Sequence, residues 1–469
     1  MTAHNILLDT DSYKFSHYRQ YPAGTTNVSS YIESRGGAFE EVVFFGLQAW
    51  IKENLLRPIT KGDVDEFADI AAMHGFEPNV MGATRILKQH GGYLPIKIEA
   101  APEGLVIPTH NVLAQFVNTD EETAWLTSFL ETSALRAVWY PSTVATLSRE
   151  AKKRIYQGLL LTSDDPDGQI PFKLHDFGAR GASSEETAAL GGMAHLVNFM
   201  GTDTVSGLMA ARRYYGADMA GFSIPAAEHS TMTAWGRDGE AAAYANMLTQ
   251  FGGPGKLVAV VSDSYDIWNA IDHIWGEELK DQVMTFGGTL VVRPDSGDPV
   301  TTPIMVIEQL MKKFGHQVNQ KGYRVLPDYL RVIQGDGMEL ENIVSVVAGM
   351  EAKGLSIDNI AFGMGGGLLQ KVDRDTQKFA MKASAVKVAG EWQDVYKDPI
   401  TDQGKVSKKG RQVLLYECGV GNCGYRTVPL HVANALPREL RVMRPVYENG
   451  KLLVDDTFET IRERAKVTA

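Results

Sequence analysis

The stretch 289–299, TLVVRPDSGDP, decides the fold that the sequence predicts. Its apolar residues 290–292 indicate a buried strand, which ends at Arg293 and Asp295 before a glycine and a proline turn the chain. Because burial of an unpaired arginine or aspartate is costly, charge at the end of a strand favours an opening into a polar pocket. For this segment alone, an Arg–Asp pair that merely closes a turn remains the alternative.

The same pattern recurs between about residues 170 and 370, where short apolar strands are followed by polar or glycine residues and then by helical spacing. The further predicted strands are 173–177, 221–225, 257–262, 330–334 and 359–362. Six or seven such units predict an α/β fold, an irregular parallel α/β barrel over 166–379, with its site at the carboxyl ends of the strands.

The rest of the chain, 1–165 plus 380–469, predicts a second, discontinuous α+β domain. Alternating apolar and polar residues at 27–35, at 93–99 and after Asp375 indicate sheet, and a short strand is expected before Asp9. The Asp- and Gly-rich segment 164–168 is the expected boundary loop.

The composition excludes several classes of function. The 469 residues are 44% hydrophobic and 22% charged, which predicts a globular protein with a large core. The net charge of -11 argues against nucleic acid or an anionic membrane as partner. A signal peptide or membrane span is not expected. With only Cys418 and Cys423, the sequence predicts no disulfide framework and a cytoplasmic location.

Two glycine turns predict a phosphate site. The loop 363–367, GMGGG, follows a predicted strand and offers backbone N–H groups without a Cβ in the way, and 335–337, GDG, adds a second turn. Basic residues accompany these turns: Arg293, Arg331, Lys371 and Arg374. The segment 419–424 matches GxGxxG, but a dinucleotide fold is rejected there because neither a helix nor a suitably placed acid follows.

Aspartates at strand ends favour Mg²⁺ over zinc, since Mg²⁺ accepts a few carboxylates together with water and phosphate oxygens. Asp263, Asp295 and Asp336 are the candidates, and the chain has no zinc-binding cluster. His229 is a nucleophile or base, or else a structural residue at a helix start. Phe177 either stacks on a flat ring or closes the barrel. These residues predict a Mg²⁺-dependent enzyme that acts on a phosphorylated sugar. They do not decide whether it also takes an aromatic co-substrate.

Long blocks of the sequence, in order between residues 5 and about 415, resemble the nicotinamide phosphoribosyltransferase family. They lie at 10–14, 173–181, 201–205, 223–231, 261–267, 293–297, 331–337 and 362–371. The resemblance implies a type II phosphoribosyltransferase that joins nicotinamide to 5-phosphoribosyl 1-pyrophosphate, giving nicotinamide mononucleotide and pyrophosphate in NAD salvage. It further implies Mg²⁺, ATP as co-substrate and a homodimer with shared active sites.

The resemblance also assigns roles to individual residues. His229 is the expected phospho-accepting histidine that couples ATP hydrolysis. Arg293, Asp295 and Asp263 are the other expected catalytic residues, and the two aspartates are expected to bind Mg²⁺ directly or through water. Phe177 and Tyr13, the latter from the partner subunit, are expected to sandwich the pyridine ring, and Asp203 to accept from the carboxamide. The remaining substrate-binding residues implied are Asp11, Arg180, Ser223, Arg331, Gly335, Asp336, Gly365, Gly366, Arg374, Lys382, Arg35 and Lys405.

Two alternatives stay open at this point. A nicotinate-using relative is disfavoured by Asp203, because a carboxylate beside the acceptor repels nicotinate. A non-catalytic nucleotide-binding protein is disfavoured by the retained His229 and glycine loop. Two departures from the family pattern are Ala380, where a serine is expected, and a short segment after Arg35.

Overall fold

The computed structural model describes residues 4–401, 406–419 and 422–467, and it divides into two compact units. The first unit comprises Met1–Thr146, Arg213–Ala217 and Asp373–Ala465. The second comprises Leu147–Arg212, Asp218–Val372 and Lys466–Ala469.

Strands and helices alternate regularly only in the second unit. The strands are β1 Thr25–Ser34, β2 Glu41–Val43, β3 Ile96–Ala100, β4 Val106–Pro108, β5 Val112–Asn118, β6 Leu174–Asp176, β7 Gly201–Thr202, β8 Leu257–Val261, β9 Thr289–Arg293, β10 Gln317–Val318, β11 Arg324–Val325, β12 Leu330–Gln334, β13 Ile360–Met364, β14 Phe379–Val388, β15 Glu391–Asp394, β16 Gln412–Gly419, β17 Asn422–Pro429, β18 Arg444–Glu448 and β19 Lys451–Leu452. The α-helices of eight or more residues are α1 Lys61–Met73, α2 Val80–His90, α3 Glu131–Thr162, α4 Glu185–His195, α5 Val205–Tyr215, α6 Glu240–Phe251, α7 Thr301–Phe314, α8 Leu340–Ala352 and α9 Phe458–Ala465.

The second unit contains the predicted irregular parallel barrel. Six of its strands form a parallel sheet in the order β7-β6-β13-β12-β9-β8. Both edges bridge to one connecting segment, Gly201 to Phe222 at one edge and Ala259 to Ala226 at the other, each in parallel orientation. The segment around 222–226 therefore closes the sheet through single bridges instead of a full strand.

The alternation of side chains explains how this sheet is filled. Val258, Val260 and Val292 are fully buried, as expected where helices cover a parallel sheet. The intervening residues Ala259 and Val291 belong to a small apolar cluster, against which Phe177 packs. The strands that form this cluster therefore end close to an aromatic side chain, Phe177, and to polar side chains such as Arg293.

The first unit is built on a seven-stranded antiparallel sheet in the order β15-β14-β1-β5-β3-β18-β19. β1 pairs along its length with β14, and β3 pairs with β18, so strands from both ends of the chain share one sheet. The long helix α3 crosses from this unit into the second unit between residues 146 and 147.

Several local predictions need correction. Residues 221–225 make only isolated bridges, and the residues before Asp9 form turns, not a strand. The unit boundaries differ from the predicted domain limits of 165/166 and 379/380: the segment 164–168 lies within the second unit because α3 and its continuation pack there, and 213–217 belongs to the first unit.

Cys418 and Cys423 form a disulfide, although the sequence predicted no disulfide framework. The two residues face each other in the β16–β17 hairpin, so the strand register brings their side chains together. Of the GxGxxG segment, Gly419 ends β16 and residues 422–424 begin β17, which continues to Pro429 where a dinucleotide fold would need a helix. Within the described part of the chain, no helix is both long and apolar enough to cross a membrane.

Candidate active site

The carboxyl ends of the parallel strands gather most of the predicted site residues. β6 leads to Phe177 and Arg180, β8 leads to Asp263, and β9 ends at Arg293. β12 and β13 lead to the glycine turns. Because parallel strands end at one edge of the sheet, these segments share one rim, as a barrel fold requires of its site.

His229 lies at the centre of the polar part of this rim. Backbone bonds between the residues before it and β8, Ala227 N to Ala259 O at 2.9 Å, hold it beside the end of that strand. Its Nε2 is 3.4 Å from Asp295 Oδ2 and 3.6 Å from Asp263 Oδ1, and its Nδ1 is 3.1 Å from Ser264 Oγ. The imidazole is 44% exposed, so a substrate can reach it.

Asp263 joins the β8 and β9 ends into one constellation. Its Oδ2 accepts from the backbone N–H of Asp295 at 3.0 Å and from Ser296 Oγ at 2.5 Å. Its Oδ1 is buried and has no hydrogen-bond partner of its own among the described residues. Arg293 Nη2 donates to Asp295 Oδ2 at 3.1 Å. Two carboxylates, one guanidinium and one imidazole therefore converge here, as predicted.

These groups fit Mg²⁺ only with help from a substrate. No set of three or more His, Cys, Asp or Glu side chains in the described ranges is arranged to hold a metal by itself. Mg²⁺ commonly keeps waters and binds through one or two carboxylates plus phosphate oxygens. The unpartnered Oδ1 of Asp263 and the partly exposed Asp295 suit that role, and Asp336, exposed after β12, contributes no contact to them.

Phe177 lies across two glycine positions, which explains why glycine occurs there. A Cβ on Gly363 would lie 2.1 Å from the Phe177 ring, and one on Gly335 would lie 3.1 Å from it. The Phe177 backbone N–H donates to Met364 O at 2.9 Å. The ring is thereby seated at the rim, where one face can meet a flat ligand.

Asp203 and Ser223 form a pair beside β7. Ser223 Oγ donates a short hydrogen bond to Asp203 Oδ1, and both residues are exposed. The Asp203 backbone N–H donates to Asp176 O at 2.9 Å, which ties this segment to the end of β6. A carboxylate acceptor is therefore fixed one strand away from Phe177.

The turn containing Arg180 lies against the glycine loop 363–367. A Cβ on Gly181 would come 3.3 Å from the Cα of Gly366, whereas a Cβ on Gly366 would meet nothing within 4 Å. Gly366 therefore borders open space near an exposed arginine, whereas a Cβ on Gly365 would contact Phe177 O at 3.6 Å. That combination suits an anion, and binding of the phosphate end there stays a prediction.

Arg331 does not join this group. It lies at the amino end of β12, where its Nη1 donates to the carbonyls of Leu326, Pro327 and Leu330 at 3.3, 2.9 and 2.6 Å. Since substrate groups gather at the opposite ends of the strands, its predicted substrate contact is replaced by a structural role. Burial lowers the pKa of Arg331, although Asp328 and Asp358 oppose that shift.

Five other predicted residues belong to the first unit. Lys382 Nζ is 3.0 Å from Glu131 Oε1, and Arg35 Nε donates to Glu33 Oε1 at 2.8 Å. Asp11 accepts from Thr132 Oγ1 at 2.6 Å, and Tyr13 is 56% exposed. Arg374 pairs with its neighbour Asp375 at 2.9 Å. Lys405 lies outside the described residues.

One residue of the rim was missed by the sequence interpretation: Ser264, whose Oγ contacts His229 Nδ1. It directly follows Asp263, so the signal was its place in the block 261–267. Ser296, which the sequence places with Arg293 and Asp295 at the end of the strand, donates to Asp263. A serine next to an aspartate is too common in turns to be singled out from one sequence.

Comparison with known proteins decides the family. The family model "Nicotinate phosphoribosyltransferase (NAPRTase) family" matches residues 172–451, and "Nicotinamide phosphoribosyltransferase, N-terminal domain" matches 5–98. A nicotinamide phosphoribosyltransferase of Xanthomonas campestris pv. campestris is 54% identical over 462 residues, covering 98% of each chain. The chain belongs to the nicotinamide phosphoribosyltransferase family. It is an enzyme of the pentosyltransferase class.

A more distant relative agrees with this assignment, and two solved structures share the fold. The Acinetobacter baylyi nicotinamide phosphoribosyltransferase is 31% identical over 497 residues, covering 98% of this chain and 97% of that protein. Two solved structures share the fold at 16% identity: a nicotinate-nucleotide pyrophosphorylase from Pyrococcus furiosus (TM-score 0.61, covering 98% and 95% of the two chains) and the human nicotinic acid phosphoribosyltransferase (TM-score 0.58, covering 97% and 92%).

Proposed function

We propose that the protein transfers a phosphoribosyl group from 5-phosphoribosyl 1-pyrophosphate to nicotinamide, as a step of NAD salvage. The products are nicotinamide mononucleotide and pyrophosphate. The observation that carries this proposal is the carboxylate of Asp203, held by Ser223 one strand away from the seated ring of Phe177. A carboxylate accepts from the amide NH₂ of nicotinamide and repels the carboxylate of nicotinate.

The reaction needs positioning and charge stabilisation more than acid–base chemistry. The pyridine nitrogen attacks C1 of the ribose, and the electrons of the C1–O bond leave with pyrophosphate. Positive charge develops on the ribose, which Asp295 and Asp263 face, while negative charge develops on the leaving group. Arg293 and Arg180 are the cations of the rim that oppose that negative charge. When bound, Mg²⁺ neutralises pyrophosphate oxygens.

The acceptor is tested by a product assay. Purified protein with Mg²⁺ and phosphoribosyl pyrophosphate is offered nicotinamide and nicotinate together, and the two mononucleotides are separated chromatographically. We expect nicotinamide mononucleotide to dominate. A dominant nicotinate product would favour the nicotinate-using alternative.

We further propose that a ring nitrogen of His229 attacks the γ-phosphorus of ATP, forming an N–P bond and releasing ADP, and that water later hydrolyses the phosphohistidine to phosphate, so that ATP hydrolysis drives the synthesis. The exposed imidazole beside two carboxylates that can share Mg²⁺ with a triphosphate supports this role. His229→Ala should abolish stimulation by ATP and leave part of the basal transfer. His273→Ala, in which an exposed histidine paired with Glu277 at 3.0 Å is removed, is the matched control. Equal stimulation in His229→Ala and wild type would refute the phosphohistidine.

A homodimer with shared active sites completes the proposal. Tyr13 is exposed. We propose that Tyr13 of the partner subunit stacks on the pyridine ring beside Phe177 and Asp203, which together form the ring site. Co-expressed Tyr13→Ala and Phe177→Ala chains, each weak alone, should recover activity in mixed dimers because one of the two sites is then intact. Purified mixed dimers without recovered activity would place both rings in the same chain.

A further inference from the structure

Asp176 is buried between the two segments that carry the ring site. It is the last residue of β6 and directly precedes Phe177, and its exposed fraction is 0%. Its carbonyl accepts from the backbone N–H of Asp203 at 2.9 Å. Its Oδ1 accepts from the backbone N–H of Gly178 at 2.7 Å. One residue therefore ties down the chain on both sides of the space assigned to the pyridine ring.

The other oxygen of this carboxyl group has no conventional partner. Oδ2 is buried and makes no hydrogen bond of standard geometry within the described ranges, and the same is true of Thr204 Oγ1. Asp176 Oδ2 and the side chain of Thr204 lie where α4 passes: a Cβ on Gly192 would lie 3.2 Å from Asp176 Oδ2 and 2.9 Å from the methyl carbon Cγ2 of Thr204. The two groups thus share one small space, closed by a helix that approaches through glycine.

Burial of a carboxyl group with one unpaired oxygen costs stability. Its presence here therefore needs an explanation other than stability. Burial raises the pKa of Asp176 to about 6, although the Gly178 amide and the Thr204 hydroxyl oppose the shift and nearby Asp203 adds to it. An alanine or leucine would fill the position at lower cost but would leave the Gly178 amide unpaired. The carboxyl group is therefore the part of this residue that holds the Gly178 amide, whereas the link to Asp203 is made by the main-chain carbonyl and does not depend on the side chain.

We propose that Asp176 is a positioning residue of the ring site, which fixes Phe177–Gly178 through its side chain and Asp203 through its main chain. It does not touch the acceptor. Its effect is to keep the aromatic face and the carboxylate at a constant separation, so that the amide of nicotinamide meets Asp203 while its ring meets Phe177. This role rests on the proposed function, because it assumes nicotinamide as the acceptor.

The test separates positioning from general stability. Asp176→Ala should raise the KM for nicotinamide by about tenfold or more, since an unpaired buried amide lets the Phe177 segment shift. It should also lower the preference for nicotinamide over nicotinate. The KM for phosphoribosyl pyrophosphate should change by less than about threefold. Asp176→Asn, which keeps an acceptor for Gly178, should recover most of the nicotinamide KM.

Two further variants keep the test decisive. Ser148→Ala removes another buried hydrogen bond of the same unit, between Ser148 Oγ and His195 Nδ1 at 3.0 Å, and should leave the nicotinamide KM unchanged. Thr204→Val replaces the hydroxyl that shares space with Asp176 Oδ2. If Asp176→Ala does not fold, this variant takes its place in the test, and we expect a smaller rise in the KM for nicotinamide. An unchanged nicotinamide KM in folded Asp176→Ala, or equal changes for both substrates, would overturn the proposal. A wild type inactive with nicotinamide would instead overturn the proposed function.

Discussion

Gly363→Ala is expected to disable the ring site while leaving the fold intact. The new Cβ would lie 2.1 Å from one ring carbon of Phe177 and 2.3 Å from another, whereas real Cβ contacts are not shorter than 3.0 Å. The ring must therefore move by about 1 Å, because the backbone of β13 is held on both sides by β12 and β6. A misplacement of about 1 Å can cost about 100-fold in rate, which corresponds to about 2.7 kcal/mol of transition-state stabilisation.

The assay is steady-state kinetics with each substrate varied in turn. The loss should fall on kcat/KM for nicotinamide, with a smaller effect on the KM for phosphoribosyl pyrophosphate. Gly349→Ala is the matched control: its Cβ would lie 2.8 Å from Ile304 Cδ1, the end of a flexible side chain, so the helix α8 should accept it with near-normal kinetics. If folded Gly363→Ala kept nicotinamide kinetics within about threefold of wild type, the seating of Phe177 on a glycine would not matter.

The other expectations concern selectivity and pH. Asp203→Asn should shift the kcat/KM ratio of nicotinamide to nicotinate by about tenfold or more towards nicotinate, because a charged acceptor is lost; an unchanged ratio would refute its role. Burial raises the pKa of Glu103 to about 7 from its ordinary 4.5, so its contribution to stability is full below about pH 4.5 and is lost as the pH rises through about 7. Between about pH 5 and about pH 7.5, the free energy of unfolding of wild type should therefore fall by about 2 kcal/mol more than that of Glu103→Gln in urea titrations, and parallel profiles would contradict the raised pKa.

The sequence predicted most of the barrel because its strands are apolar, β-branched and followed by polar turns. It missed β7, since a two-residue strand carries no periodicity, and it overstated 221–225, in which Phe222 bridges one sheet edge while the bridge to the other edge lies just beyond, at Ala226. The predicted strand 330–334 coincides with β12, so its bounds were right. The structure differs in the role of Arg331, whose side chain donates to carbonyls at the amino end of that strand, away from the glycine turn.

Site residues were predictable where the resemblance named them, and their contacts were not. His229, Asp263 and Asp295 come from three separate segments, and only the closed sheet brings them within 3.6 Å of one another's polar atoms. The disulfide was missed because its formation depends on the register of β16 and β17. Side-chain proximity across strands follows from register, which the turn residues alone did not fix.

The central claim is that the rim at the strand ends joins nicotinamide to a phosphoribosyl group. The most direct measurement is the mass of the product formed from purified protein, phosphoribosyl pyrophosphate, Mg²⁺ and an equal mixture of nicotinamide and nicotinate, with and without ATP. The account predicts nicotinamide mononucleotide in both cases and more of it with ATP. Formation of nicotinate mononucleotide alone, or of neither product, would contradict it.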